Sequence, residues 1–152
     1  MALNKKLWKR IGLAVLVLVL AGAAAVWYIL TEKFTDTSER KAAYSVNALD
    51  FIKEFETNEA EANKKYTEKI ISVTGIVSAV EAADTTANIK FVDTLTGSYV
   101  IFAFQEQHLS EAKELKVGDK VSIKGSCSGG VYSEILETHY IAFKRSAVDK
   151  KP

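Results

Sequence analysis

The chain has 152 residues, enough for one ordinary domain and an appendage. Its 20 basic and 19 acidic side chains nearly cancel, which excludes a strong overall field for nucleic acid or acidic ligands. A single cysteine, Cys127, excludes an internal disulfide and a multi-cysteine metal site. One proline, eight glycines and an apolar content near half argue against long disordered tracts.

Residues Ile11 to Leu30 carry no charge. A helix of that length rises about 30 Å, the thickness of a bilayer's hydrocarbon core. Lys5, Lys6, Lys9 and Arg10 precede it without an acidic residue, whereas Glu32, Lys33, Asp36, Glu39 and Arg40 after it are mixed. The positive-inside rule therefore keeps residues 1–10 in the cytoplasm and places the chain beyond Leu30 on the other side of the cytoplasmic membrane. Trp8 and Trp27-Tyr28 suit the two interfaces. A cleaved signal peptide is the alternative, since Ala21-Gly22-Ala23 and Ala23-Ala24-Ala25 offer small residues to a peptidase. The apolar run continues through Val26 to Leu30 without a polar break, so an uncleaved single-pass anchor over 11–30 is the expectation. No cysteine lies near the end of that run to carry a lipid.

Residues 31–42 read as a polar stalk, partly helical from Asp36 or Thr37. From Ser45 the pattern is amphipathic: Val46, Leu49, Ile52 and Ala48, Phe51, Phe55 recur at helical spacing, with Asp50, Lys53, Glu54 and Glu56 turned away. Asn58 can cap a second helix, with Glu59 and Glu61 where the dipole favours acids. Helix chemistry and burial account for Glu59, Glu61, Asn63 and Tyr66 better than a binding site does, and their spacing is not that of a Ca²⁺ loop.

A period-2 strand comes next, with Ile71, Val73, Gly75, Val77 and Ala79 on one side. Residues 81–87 form a polar connection, Asn88 to Asp93 a second strand, and Ser98 to Phe104 a third, apolar on both faces and so expected to be central or covered. His108 to Leu115 is a short helix, and Lys116 to Asp119 a tight turn in which Gly118 takes positive φ. Lys120 to Cys127 alternates cleanly as a fourth strand. Residues 128–131 read as a flexible loop, Ile135 to Phe143 as the last strand, and 144–152 as a flexible basic tail. This layout is that of an OB-fold, a five-stranded, partly open Greek-key barrel, among other small barrels and α+β domains.

Two runs narrow the choice. N-E-x-x-A-N-x-x-Y-x-x-K followed by I-x-V-T-G-x-V, from Asn58, and the stretch from Leu115 to Gly129, L-K-x-G-D-x-V-x-I-x-G-x-C-x-G, together resemble the tRNA_anti-like family of small bacterial OB-fold domains. The resemblance covers roughly residues 43–143 and implies a mainly β domain behind an amphipathic helix. Family members often carry a second cysteine at about His139 here, so its absence implies an unpaired Cys127.

Cys127 and His139 are the one pair that hints at a nucleophile and its base. A hairpin centred near Gly130-Val131 would set Cys127 opposite Glu134 and leave His139 about 17 Å along the strand, beyond reach. A small buried cysteine is the expectation. His108 reads as isolated and solvated. No metal-ligand spacing, P-loop, dinucleotide fingerprint or nucleophile elbow occurs, so no catalytic residue, metal or cofactor is assigned and the chain is not expected to be an enzyme. The usual working face of such a barrel would offer Lys90, Tyr99 and Tyr132, near the loops 81–87 and 128–134. One lysine and two tyrosines make a thin basic, aromatic groove. The expected partners are the membrane, through 11–30, and a protein, peptide or glycan of the cell envelope. Single-stranded nucleic acid is the alternative, requiring a positive groove around Lys90 and Lys124.

Overall fold

The computed structural model describes residues 5–31 and 36–150. Parts of the expected N-terminal segment, stalk and tail (1–4, 32–35 and 151–152) lie outside the described residues. The chain divides into two compact units, residues 1–35 and 36–152. The first is helix α1 (Lys5–Thr31). Its segment Leu7–Leu30, with mean hydropathy 2.6, is long and apolar enough to cross a membrane.

The second unit is mostly sheet. Strand β1 (Tyr44–Asn47) leads into helices α2 (Ala48–Thr57) and α3 (Glu59–Tyr66), then strands β2 (Ile70–Ile76), β3 (Ala79–Ala82), β4 (Ala87–Val92) and β5 (Tyr99–Phe104). A 3₁₀ turn (Glu106–His108) and helix α4 (Leu109–Glu114) precede strands β6 (Lys120–Ser133) and β7 (Thr138–Val148). The sheet has seven strands in the order β1-β2-β6-β7-β5-β4-β3. It is mixed: β1 with β2 and β5 with β7 run parallel, and the other pairs antiparallel.

The run expected as one strand from Ile71 to Ala79 breaks at Val77-Ser78, where it changes partner. Up to Ile76 it pairs with β6, and from Ala79 with β4. Between them Val77 donates its N–H to the Asp119 carbonyl and Ser78 to that of Lys90, so the backbone stays satisfied through the bend. Gly75 sits just before it because a Cβ there would lie 2.7 Å from the Phe91 ring and 2.8 Å from Ala48 Cβ.

The first helix begins later than its pattern suggests. The Asn47 side chain accepts the Leu49 N–H and caps α2, so Tyr44 to Asn47 extend along β2 instead. Asn58 caps α3 in the same way through the Glu61 N–H, as its sequence indicates. Phe51, Ile52 and Phe55 are buried and Leu49 is 53% exposed, so the apolar face is narrower than the spacing implies. Phe51 stands at the centre of the core, its ring 5.1 Å from Phe55, 4.9 Å from Tyr66 and 5.8 Å from Phe143. The Tyr66 hydroxyl donates to Glu54, which satisfies the polar end of a buried ring.

Three expectations are corrected in this unit, and that for the third strand holds through its central place. Asp36 to Arg40 form turns rather than a helix, and Thr37 is buried, so the stretch after residue 35 packs with the domain. Strand β5 is central by pairing, yet one of its faces remains open, with Ala103 exposed. Residues 128–131 belong to β6, and the hairpin turns at 134–137 instead. The tail assigned from Lys144 onward is strand as far as Val148, because the long β6 needs a partner throughout: Ile123 pairs with Val148 and Lys124 with Ala147, across two bulges.

Candidate functional site

The open face of β4, β5 and β7 carries two of the three sequence-derived candidates, Lys90 and Tyr99. In an antiparallel or parallel ladder, residues at the same register point to the same side. Val92, Tyr99 and Tyr140 therefore form one row, and Lys90, Ile101 and Ala142 the next. The rings of Tyr99 and Tyr140 stack at 6.0 Å with an interplanar angle of 20°. Lys90 Nζ lies 5.4 Å from the centre of the Tyr99 ring and pairs with Glu81 of β3. The result is a flat aromatic platform edged by one neutralised cation.

Tyr132 does not join this platform. It pairs with His139, one register position off the row of Tyr140, and so points to the opposite side. Its ring lies 5.0 Å from His139, its N–H donates to Glu59, and His139 Nε2 is 3.5 Å from Glu59. Tyr140, which takes the place foreseen for Tyr132, escapes a reading that turns the hairpin at Gly130-Val131.

The groove foreseen around Lys90 and Lys124 does not form either. Lys124 is buried and pairs with Asp149 at 3.6 Å. Of the 20 basic side chains, six lie outside Asp36–Lys150, against one of the 19 acidic ones, so the domain is net acidic. Residues 91–112 and 125–143, which include β5 and the first half of β7, contain no lysine or arginine.

Cys127 is fully buried and pairs with Phe143, while His139 lies further along the hairpin opposite Tyr132. Position 139 is therefore not across the ladder from Cys127. Burial pushes the thiol up to about 11, the Glu68 charge adding to it and the Gly129 N–H opposing it. Such a thiol is inert. Iodoacetamide is expected to label Cys127 in urea and to leave the folded chain unlabelled; rapid labelling of the folded chain would contradict this burial.

The remaining polar clusters hold the domain together. Asn63 grips the backbone of Gly130 through two hydrogen bonds of 2.8 Å, which fixes α3 against β6. His108 is not isolated: its Nε2 lies 2.8 Å from Asp36, and its Nδ1 3.2 Å from Glu111. Burial pushes the Asp36 carboxyl up, but hydrogen bonds from His108 and Ser38 and the His108 charge outweigh it and hold the group at about 2. Glu111 is held below the usual range mainly by its hydrogen bond from Lys150. Among the described residues, no group of three or more His, Cys, Asp or Glu is placed to hold a metal.

Among solved structures, the domain is similar to a lipoprotein of Klebsiella pneumoniae subsp. pneumoniae whose name assigns it to nucleic-acid binding. The TM-score is 0.54 at 18% identity, covering 69% of this chain and 91% of that one. An aspartyl-tRNA synthetase of Entamoeba histolytica aligns with a TM-score of 0.43 at 12% identity, covering 60% of this chain and 20% of that protein. No curated protein matches the sequence. The tRNA_anti-like family model matches residues 1–137, and the chain belongs to that family.

Proposed function

We propose that this chain is a non-enzymatic binding module held at the bacterial cytoplasmic membrane by α1, with its OB-fold domain on the extracytoplasmic side. In this reading β1 is an added edge strand, β2 and β3 act as a single bent strand, and with β4, β5, β6 and β7 they make a five-stranded, partly open barrel. The ligand is a peptide, a protein or a glycan of the envelope, taken on the outer face of β4, β5 and β7. The Tyr99–Tyr140 pair carries this reading. Stacked tyrosines offer apolar area with polar rims at low conformational cost, which suits a sugar ring or an extended peptide. Backbone phosphates need several free cations, whereas the two rows around the tyrosines hold one lysine, paired with Glu81, and Lys144 further along β7 pairs with Glu68.

The name of the Klebsiella neighbour mentions nucleic-acid binding, and single-stranded nucleic acid is the second reading. One experiment separates the two. The full chain, purified in detergent, is offered envelope glycans, peptides and single-stranded DNA and RNA over a range of salt. A glycan or peptide retained at moderate salt and weakened roughly tenfold by Tyr140→Ala is the expected result. Retention of nucleic acid alone, lost steeply as salt rises, would replace this reading with the second.

A further inference from the structure

Strands β5 and β7 run parallel with Tyr99 beside Tyr140, so the turns that precede them emerge at the same end of the sheet. The contact between them is close: a Cβ on Gly97 would lie 3.1 Å from Thr138 Cγ2. Both turns present large apolar side chains to solvent. Leu95 is 93% exposed, Ile135 94% and Leu136 58%. Neither turn is loose, since the Leu95 N–H binds the Asp93 carboxylate and the Leu136 N–H the Ser133 hydroxyl. Exposed aliphatic side chains carried on neighbouring turns at one end of a sheet are of the kind that marks an interaction site.

Its surroundings are acidic. Asp93, Glu134 and Glu137 flank the three apolar residues in sequence. Glu56 and Glu59 reach the same end, where Glu56 accepts from the Ser98 hydroxyl at 2.7 Å and Glu59 from the Tyr132 N–H at 2.9 Å. Neither turn lies in a stretch that contains a lysine or arginine. The chain enters the domain elsewhere, with Asp36 and Thr37 bound to His108 and Gln105 beyond the far end of β5.

We propose that this end of the domain docks a cationic, apolar-faced segment of a partner protein. Its apolar side chains cover Leu95, Ile135 and Leu136, and its lysines or arginines meet the acidic rim. Complementary charge steers the encounter and sets specificity, while the apolar contact supplies affinity. An anionic lipid surface meets repulsion from the same rim. The site adjoins the Tyr99–Tyr140 row but uses different side chains, and it does not depend on what that platform binds.

The test uses the full chain in detergent with two short labelled peptides, one of lysine and leucine and one of glutamate and leucine. Binding of the lysine peptide, weakened about tenfold or more by Leu95→Ser/Ile135→Ser and by Glu134→Lys/Glu137→Lys, is the expected result. Tyr140→Ala should leave it unchanged, which separates this site from the aromatic platform. All of these side chains are exposed or half-buried, so unchanged thermal unfolding is the control for folding. Equal binding of the two peptides, or indifference to both tip variants, would overturn the proposal. So would self-association or binding to anionic vesicles that either tip variant abolishes, since the occupant would then be a second copy or a lipid surface.

Discussion

Replacing Asp149 with alanine is expected to destabilise the domain by about 3–5 kcal/mol, the usual result of stripping one partner from a buried ion pair. The side chains of Lys124 and Asp149 are 9% and 4% exposed, with 3.6 Å between Nζ and Oδ1. The Ser72 hydroxyl donates to the other carboxylate oxygen at 2.6 Å. Without Asp149, an ammonium and a hydroxyl in β6 and β2 lose their acceptor in a place that water barely reaches. The backbone bond from the Asp149 N–H to the Ser122 carbonyl, which closes the far end of the β6–β7 ladder, is kept by alanine, so the loss is that of the carboxylate alone. Urea denaturation of the full chain in detergent measures the loss. The double variant Lys124→Met/Asp149→Leu should recover most of it, since the pair is removed together and the volume is kept. A loss below about 1 kcal/mol in the single variant would mean that the pair behaves as a surface one.

That ion pair sits in a segment whose sequence reads as a tail. Lys144-Arg145-Ser146 looks like a basic stop, and nothing local shows that β6 is long enough to need a partner there. The pairing is non-local and passes two bulges, with Arg145 at φ 53, so the period-2 pattern that marks a strand is interrupted where it matters. Elsewhere the alternation of Ile71 and Val73, or of Ile89 and Phe91, faces one core and was legible from spacing alone.

The glycines of β6 misled for a related reason. Gly129-Gly130 has the composition of a turn, yet each glycine serves a close approach. Gly129 takes φ 104 in a bulge, and a Cβ on Gly130 would lie 2.5 Å from the Phe55 ring. The true turn contains Ile135 and Leu136, which read as strand because exposed aliphatic residues are rare in turns without a reason to be there. Misplacing that turn shifts the register of the hairpin, and register decides which face each side chain occupies. The true register puts Tyr140 rather than Tyr132 beside Tyr99. Lys90 and Tyr99 lie on strands that the alternation marks, and the register puts them on one face. His108 looked isolated for want of any local partner: its contact with Asp36 spans 72 residues of sequence.

Phe51 is where the helix and the sheet depend on each other most, and Phe51→Ala is expected to cost about 3–5 kcal/mol. The ring is fully buried, and its neighbours belong to separate parts of the fold: Phe55 in α2, Tyr66 in α3 and Phe143 in β7. Phe143 in turn lies 4.8 Å from Phe102 of β5, so the cavity left by alanine would border several strands as well as both helices. Those elements cannot all close on the gap, because Gly130 and Gly75 already hold backbone against rings in the same core. Leu49→Ala on the same helix provides the internal comparison. At 53% exposure it should change stability by no more than about 0.5 kcal/mol, since it removes little buried area. The measurement is the urea midpoint of each variant, read by far-UV circular dichroism with α1 as a constant background. Equal shifts for Phe51→Ala and Leu49→Ala would show that α2 is not docked on the sheet. A large shift for Phe51 alone would establish that α2 is part of the core beneath the sheet, and that a domain cut from this chain must begin before Ala48.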